Sequence, residues 1–184
     1  MSKLVMPKVD RKLLSIKAEV VENLKKIIKS ENVLDHEDQI RPFETDALSA
    51  YKQKPLVVVF PENTQEVSKI LAYCNQKRIK IVPRGAGTGL SGGALPLVDG
   101  ILLCLSKFNK IIDIDYKNKC VVAQPGVTNL SITQAVEDKG FYYAPDPSSQ
   151  IACSIGGNVA ENSGGVHSLK YGTCLLYTSD AADE

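Results

Sequence analysis

The sequence predicts an α+β fold in two parts, a parallel βαβ subdomain followed by a mainly antiparallel subdomain. Three observations predict it. Leu56-Val57-Val58-Val59-Phe60 is a continuous apolar, β-branched run, the pattern of a strand buried on both faces. A helical period follows, then a second apolar run, Ile79 to Val82. The two strands are therefore expected to be parallel, with a right-handed crossover. Beyond residue 100 the pattern changes to three short runs, Ile101 to Leu105, Ile111 to Asp115 and Cys120 to Gln124. Tyr116-Lys117-Asn118-Lys119 reads as a turn between the last two, and short runs joined by tight turns indicate antiparallel pairing.

The elements follow in order. Residues 11–30 read as one amphipathic helix, with Leu13, Ile16, Val20, Leu24 and Ile27 recurring every three or four positions. Residues 31–54 have mixed polarity and read as a long connection broken by Pro42. Within it Val33-Leu34 starts a short strand, and Asp46 and Tyr51 are the ligand-capable side chains. Pro61 ends the first long strand. Asn63 then stands three residues before Glu66, the spacing of an N-cap with a reciprocal acid. Val67, Ile70, Leu71 and Cys74 give that helix an apolar face, and it ends near Arg78. Thr128 or Asn129 caps a further helix through Lys139, with Gly140 at its C′ position. From Ala144 to Gly165 the chain is polar and rich in glycine and proline, and reads as a long functional loop region.

The chain has 184 residues, 43% hydrophobic and 23% charged, with a net charge of +1. That balance is ordinary for a globular protein and shows no basic stripe, which argues against nucleic acid as a partner. No apolar run is long enough to cross a bilayer. The N-terminus lacks the apolar core of a signal peptide, so a cytoplasmic protein is expected. No two of Cys74, Cys104, Cys120, Cys153 and Cys174 are spaced C-x-x-C, and the only histidines are His36 and His167. No metal site is expected on that inventory, and the cysteines read as small reduced core residues.

The chemistry is concentrated in Pro83-Arg84-Gly85-Ala86-Gly87-Thr88-Gly89-Leu90-Ser91-Gly92-Gly93-Ala94, at the C-terminal end of the second strand. Ligands gather at that end in α/β sheets. Curled N–H groups in such a stretch form an anion nest, whose usual occupant is a phosphate. A nucleotide P-loop is excluded because no Gly-Lys-Ser/Thr follows. Gly87-Thr88-Gly89-Leu90-Ser91-Gly92 matches the G-x-G-x-x-G dinucleotide fingerprint letter for letter. That fingerprint must open a helix, however, and here Pro96 and Gly100 interrupt any helix. What remains is a loop cradle for a dinucleotide, with a flavin held between two subdomains and lined by both glycine-rich regions.

At these residues the chain resembles the FAD-linked oxidases of the vanillyl-alcohol oxidase/PCMH type, within them most closely the glycolate oxidase and D-lactate dehydrogenase group. The strongest pieces are the Pro83 to Gly93 loop, Gln124-Pro125-Gly126-Val127, Pro145-Asp146-Pro147-Ser148-Ser149 and Cys153 to Gly165, in this order over most of residues 30–172. The resemblance implies a two-subdomain FAD-binding (PCMH-type) fold, truncated at its C-terminus. It implies that the loop after Pro83, with Arg84, Gly85, Ala86, Gly87, Thr88 and Gly89, wraps the pyrophosphate through its N–H groups. Ser91 and Gly92 would lie near the flavin. Pro145, Asp146, Pro147 and Ser148, with Cys153, Ser154, Gly156, Gly157 and Asn158, would line the rest. Asn162, Gly164 and Gly165 would continue that wall. Some relatives attach FAD through a histidine in the first loop; this loop has none, so non-covalent FAD is expected. His167, in Gly165-Val166-His167-Ser168-Leu169-Lys170-Tyr171-Gly172, reads as a hydrogen-bonding structural histidine, since no acid stands beside it in sequence.

The organisation expected is a helical segment at 1–30, an incomplete FAD-binding domain at 31–172 and a non-native tail at 173–184. After Gly172 the resemblance stops, and the tail has the look of a read-through or adapter scar. The implied activity is that of an FAD-dependent oxidoreductase on CH–OH groups, taking hydride from the α-carbon of a small 2-hydroxy acid such as D-lactate or glycolate. The fragment by itself is expected to be inactive. No catalytic residue is assigned, because the resemblance places the substrate-binding residues and any metal site in a following domain. Other oxidase subunits or an electron acceptor are the implied partners. A non-catalytic flavin-binding subunit and a cell-wall precursor reductase are the rival readings.

Overall fold

Four strands form the first sheet, and apolar continuity explains why. The computed structural model describes residues 7–173. They divide into two units. One runs up to Arg84 and includes Leu90–Cys104; the other is Gly85–Gly89 with the residues from Leu105 on.

In the first unit, the expected helix over 11–30 is two helices. Helix α1 (Arg11–Ser15) is capped by Asp10, whose side chain accepts from the Lys12 amide, and it closes at Ile16, which precedes α2 (Lys17–Ile27). A 3-10 turn at Ser30–Asn32 leads into β1 (Val33–Leu34). Helix α3 (Glu37–Ile40) runs into a second 3-10 turn, Arg41–Phe43. Pro42 thus sits in the first turn of a helical segment, where its missing N–H costs nothing, and the connection is more ordered than its mixed polarity suggests. Strand β2 (Val57–Val59) follows, then α4 (Thr64–Lys77). As expected, the Asn63 side chain accepts from the Glu66 amide at 2.9 Å, while the Glu66 carboxylate takes the Glu62 amide at 2.7 Å. Arg78 closes the helix in the left-handed region at φ 58°.

Strand β3 (Lys80–Arg84) and β4 (Gly100–Cys104) complete the sheet in the order β1-β2-β4-β3. Here one expectation is corrected. β4 does not join an antiparallel subdomain. It lies between β2 and β3 and pairs parallel with both, Val58 and Val82 each standing opposite Leu102. The physical reason is burial: every residue of β4 is buried, which suits a central parallel strand. β3 is an edge strand, which is where Pro83 is tolerated in a ladder. Only β1 runs antiparallel, against β2. Strand alternation gathers Val58, Val82, Leu102 and Cys104 with Ile40 on one face, flanked by Phe43 and Phe60. Helices α2 and α4 pack on one another and bury Val20, Val21, Leu24, Ile70 and Cys74.

In the second unit, β5 (Ile111–Asp115) and β6 (Cys120–Ala123) form an antiparallel hairpin with a bulge near Ile112. Asp115 shapes its turn by accepting the amides of Lys117 and Asn118. Helix α5 (Asn129–Gln134) is capped by the Thr128 side chain. It stops short of the expected end; a 3-10 turn, Glu137–Lys139, completes it and Gly140 closes it at φ 78°. The region read as loop, Ala144 to Gly165, contains a helix, α6 (Ile155–Glu161), and a short helix α7 (Ser168–Tyr171) follows it. The Ser154 side chain caps α6 by accepting from the Gly157 amide at 3.3 Å, which offsets the poor helix propensity of Gly156-Gly157. All but Thr173 of the tail expected to be non-native lies outside the described residues.

Candidate cofactor-binding site

Helix α6 organises the site because each of its faces does something different. Residues three and four apart share a face. Ser154, Gly157 and Glu161 face the first glycine loop: a Cβ on Gly85 would collide with Ser154 Oγ, and one on Gly89 with the Glu161 carboxylate. Gly156 faces Pro125, whose Cβ and carbonyl oxygen would stand 2.7 and 3.0 Å from any side chain there. Ile155 and Val159 face away and line a groove of about 670 Å3 with Ile132, Val136, Ile114 and Val121. That groove contains none of the glycine-loop residues.

The loop itself is seated so that its backbone is presented. Gly87 takes the left-handed conformation at φ 73°, which curls the chain. The amides of Ala86, Gly87 and Thr88 donate to no described residue. Uncommitted N–H groups on a curled stretch are what an anion nest needs, so these residues fit the phosphates of a dinucleotide. Pro83, Arg84, Ser91 and Gly92 belong to the first unit. The Arg84 guanidinium donates to the Thr45 carbonyl at 2.8 Å and lies 5.8 Å over the Phe43 ring, so its charge is engaged there. Leu48 stands 3.7 Å from where a Cβ of Gly92 would be. Burial pushes the nearby Cys104 thiol up to about 12 against the opposing Arg84 charge, so it stays protonated at neutral pH.

A second wall is built from distant segments of the same unit. The Asn129 amide donates to the Cys153 carbonyl at 3.0 Å, and its side-chain nitrogen donates to the Pro145 carbonyl at 2.8 Å. One residue thus ties both segments to α5. Gly165 lies against the Asp146 backbone so closely that any Cβ would overlap the carbonyl carbon and oxygen. His167 Nδ1 pairs with Asp146 Oδ2 at 2.8 Å. Asn158 is buried, and its Nδ2 has no partner among the described residues. Cys153 is buried as well.

The structure therefore brings together, in one unit, Gly85 to Gly89 with Ser154 and Gly157, and Asp146 with Gly165. Sequence reading missed Asn129 as a tie, because a helix-start Asn reads as a cap and its burial is invisible locally. It also missed Glu161, whose signal was its place inside the Cys153 to Gly165 motif. Among the described residues no helix is long and apolar enough to cross a membrane, and no three His, Cys, Asp or Glu side chains gather as a metal site.

Known proteins resemble this chain over most of its length. The family model for an FAD binding domain matches residues 55–177. Glycolate oxidase subunit GlcD of Escherichia coli K12 is 52% identical over 167 residues, covering 91% of this chain and 32% of that protein. D-lactate dehydrogenase of Anaerostipes hadrus is 38% identical over 160 residues, covering 86% of this chain and 33% of that protein. Among solved structures, p-cresol methylhydroxylase with substrate bound superposes with a TM-score of 0.71 at 22% identity, over 84% of this chain and 30% of that one. At that identity the likeness shows the PCMH-type fold alone. The chain spans about a third of the length of the curated relatives it matches.

Proposed function

The chain belongs to the FAD-binding domain family, and we propose that it is the flavin-binding part of a flavin-dependent 2-hydroxyacid dehydrogenase or oxidase acting on D-lactate or glycolate. The observation that carries the reading is the Gly85 to Gly89 loop seated on α6 with the amides of Ala86, Gly87 and Thr88 uncommitted. Those amides would hold the pyrophosphate, with Ser154, Gly157 and the Asp146 to Gly165 wall beside them. Bound FAD would supply the hydride acceptor for the substrate α-carbon. This chain's own residues bind and orient the cofactor, and the loop's backbone donors keep their direction without relying on a mobile side chain. The substrate domain, the basic residues for its carboxylate and the electron acceptor or partner subunits belong to the remainder of the protein. We assign residues 1–30 to a helical segment, 31–172 to the FAD-binding domain and 173–184 to a non-native tail, and we place the protein in the cytoplasm.

The test is recovery of the full reading frame, followed by a dye-reduction screen with D- and L-2-hydroxy acids. Reduction with a D-2-hydroxy acid or glycolate supports the reading. Flavin reduction by a nicotinamide donor alone would move the protein to the cell-wall precursor reductases. Flavin bound but never reduced by any 2-hydroxy acid would favour a non-catalytic subunit. Acid precipitation should release the flavin into solution, as non-covalent binding requires; colour left in the pellet would contradict it.

A further inference from the structure

We propose that His167 and Asp146 form a positioning pair that holds the second wall of the flavin site closed, and that His167 sets how long FAD stays bound. The inference rests on the flavin-binding reading above. Asp146 stands in the motif that the resemblance assigns to cofactor contact, yet both of its carboxylate oxygens turn to one residue. Oδ2 meets His167 Nδ1 at 2.8 Å, and Oδ1 accepts the His167 amide at 3.4 Å. An acid already occupied in this way acts on the cofactor through His167.

The pair matters because of what it joins. Segment 145–148 is anchored at one end by Asn129, through the Pro145 carbonyl at 2.8 Å. The second anchor is the turn at 165–168, where Gly165 lies flat against the Asp146 backbone. The first anchor is buried, with Asn129 only 2% exposed. The second is reachable by water, the His167 side chain being 46% exposed. When the wall opens, the wetter anchor lets go first. Tyr142 supports the imidazole, its ring centred 5.7 Å away, and its hydroxyl donates to Tyr171 at 3.2 Å. The Asp146 oxygen selects the tautomer with the proton on Nδ1, which fixes the ring's orientation. Sites are held to productive geometry by such supporting bonds, and loosening one loosens the ligand.

The experiment measures the FAD release rate, by recovery of flavin fluorescence, in the full-frame protein and in its His167→Ala, His167→Asn and Asp146→Asn variants. Apoprotein melting is followed in parallel. His167→Ala should speed release about tenfold, as loss of one charge-assisted hydrogen bond implies. Its apoprotein melting point should stay close to wild type. His167→Asn, which can return a donor near the Nδ1 position, should recover most of the loss, and Asp146→Asn should fall between the two. Release from His167→Ala within twofold of wild type would overturn the pair. So would equal losses in His167→Ala and His167→Asn, or a fall in apoprotein melting large enough to account for the release. Wild-type protein that holds no flavin would overturn the flavin reading itself, and the pair with it.

Discussion

The two units are held together by different physics. The first is a four-stranded, mostly parallel ladder whose central strands are fully buried, so apolar area carries it. Among the described residues the second has only a two-stranded hairpin, and an isolated hairpin is marginal in water. It relies instead on caps at Thr128 and Ser154, on the ties from Asn129, and on close approaches at Gly156 and Gly165. The lesson is that one unit of a chain can be robust to shape and sensitive to area, while another unit of the same chain is the reverse.

That contrast can be broken or sharpened by substitution. The largest effect is expected from Leu102→Ala, since this side chain is fully buried at the centre of the first sheet. It should cost about 2–5 kcal/mol in denaturant unfolding. A loss under about 1 kcal/mol would mean that the first unit does not depend on apolar packing as described. Gly165→Ala comes next. It removes no apolar area, but its Cβ must displace the Asp146 backbone. About 1–3 kcal/mol is expected, with flavin released as well. Wild-type flavin retention in that variant would show that the second wall tolerates shape change.

Asn32, Asp46 and Asp99 are the buried polar residues described in the first unit; Asp99, 2% exposed, accepts from Lys80 Nζ at 2.8 Å and from the Asp10 amide at 2.7 Å. Burial pushes its carboxyl upward, but the bonds from Lys80 and Asp10 outweigh that and hold it below the ordinary aspartate range. A depressed folded-state value means the unfolded state binds the proton more readily. The stabilisation is therefore complete above about pH 4 and is lost as the pH falls through the folded value. Asp99→Asn should cost about 1–2 kcal/mol at neutral pH and flatten the acid limb of the stability curve. An unchanged acid limb would show that Asp99 does not shape it. The smallest effect is Ser154→Ala, about 1 kcal/mol for a lost cap. Measured by unfolding and by flavin retention together, it should move both, because the same residue starts α6 and meets the glycine loop. A change in stability with unaltered flavin retention would separate the cap from the site.

Much of this was legible in local pattern. The Leu56 to Phe60 strand, the Asn63–Glu66 cap and the Gly140 stop each follow from a few adjacent residues whose preferences agree. The place of β4 was not, although its unbroken Ile101 to Leu105 run carried the hint; hairpin-like spacing favoured the wrong neighbour. Helix α6 was hidden because Gly156-Gly157 reads as a turn, and only the approach of Pro125 explains the missing side chain at Gly156. The Asp146–His167 pair spans 21 residues of chain, with no period or spacing to announce it.

The glycine loop itself was evident from composition: glycines in that density after a strand specify a backbone open to a phosphate, and the absence of a following helix excludes the dinucleotide fingerprint. Only the tertiary structure decided that Gly85 to Gly89 leave the strand they follow and settle on α6, and that Asp146 turns to His167. Local sequence encodes conformational preference residue by residue. Which distant surfaces meet depends on the closest packing of the whole unit, and that is where the site is made.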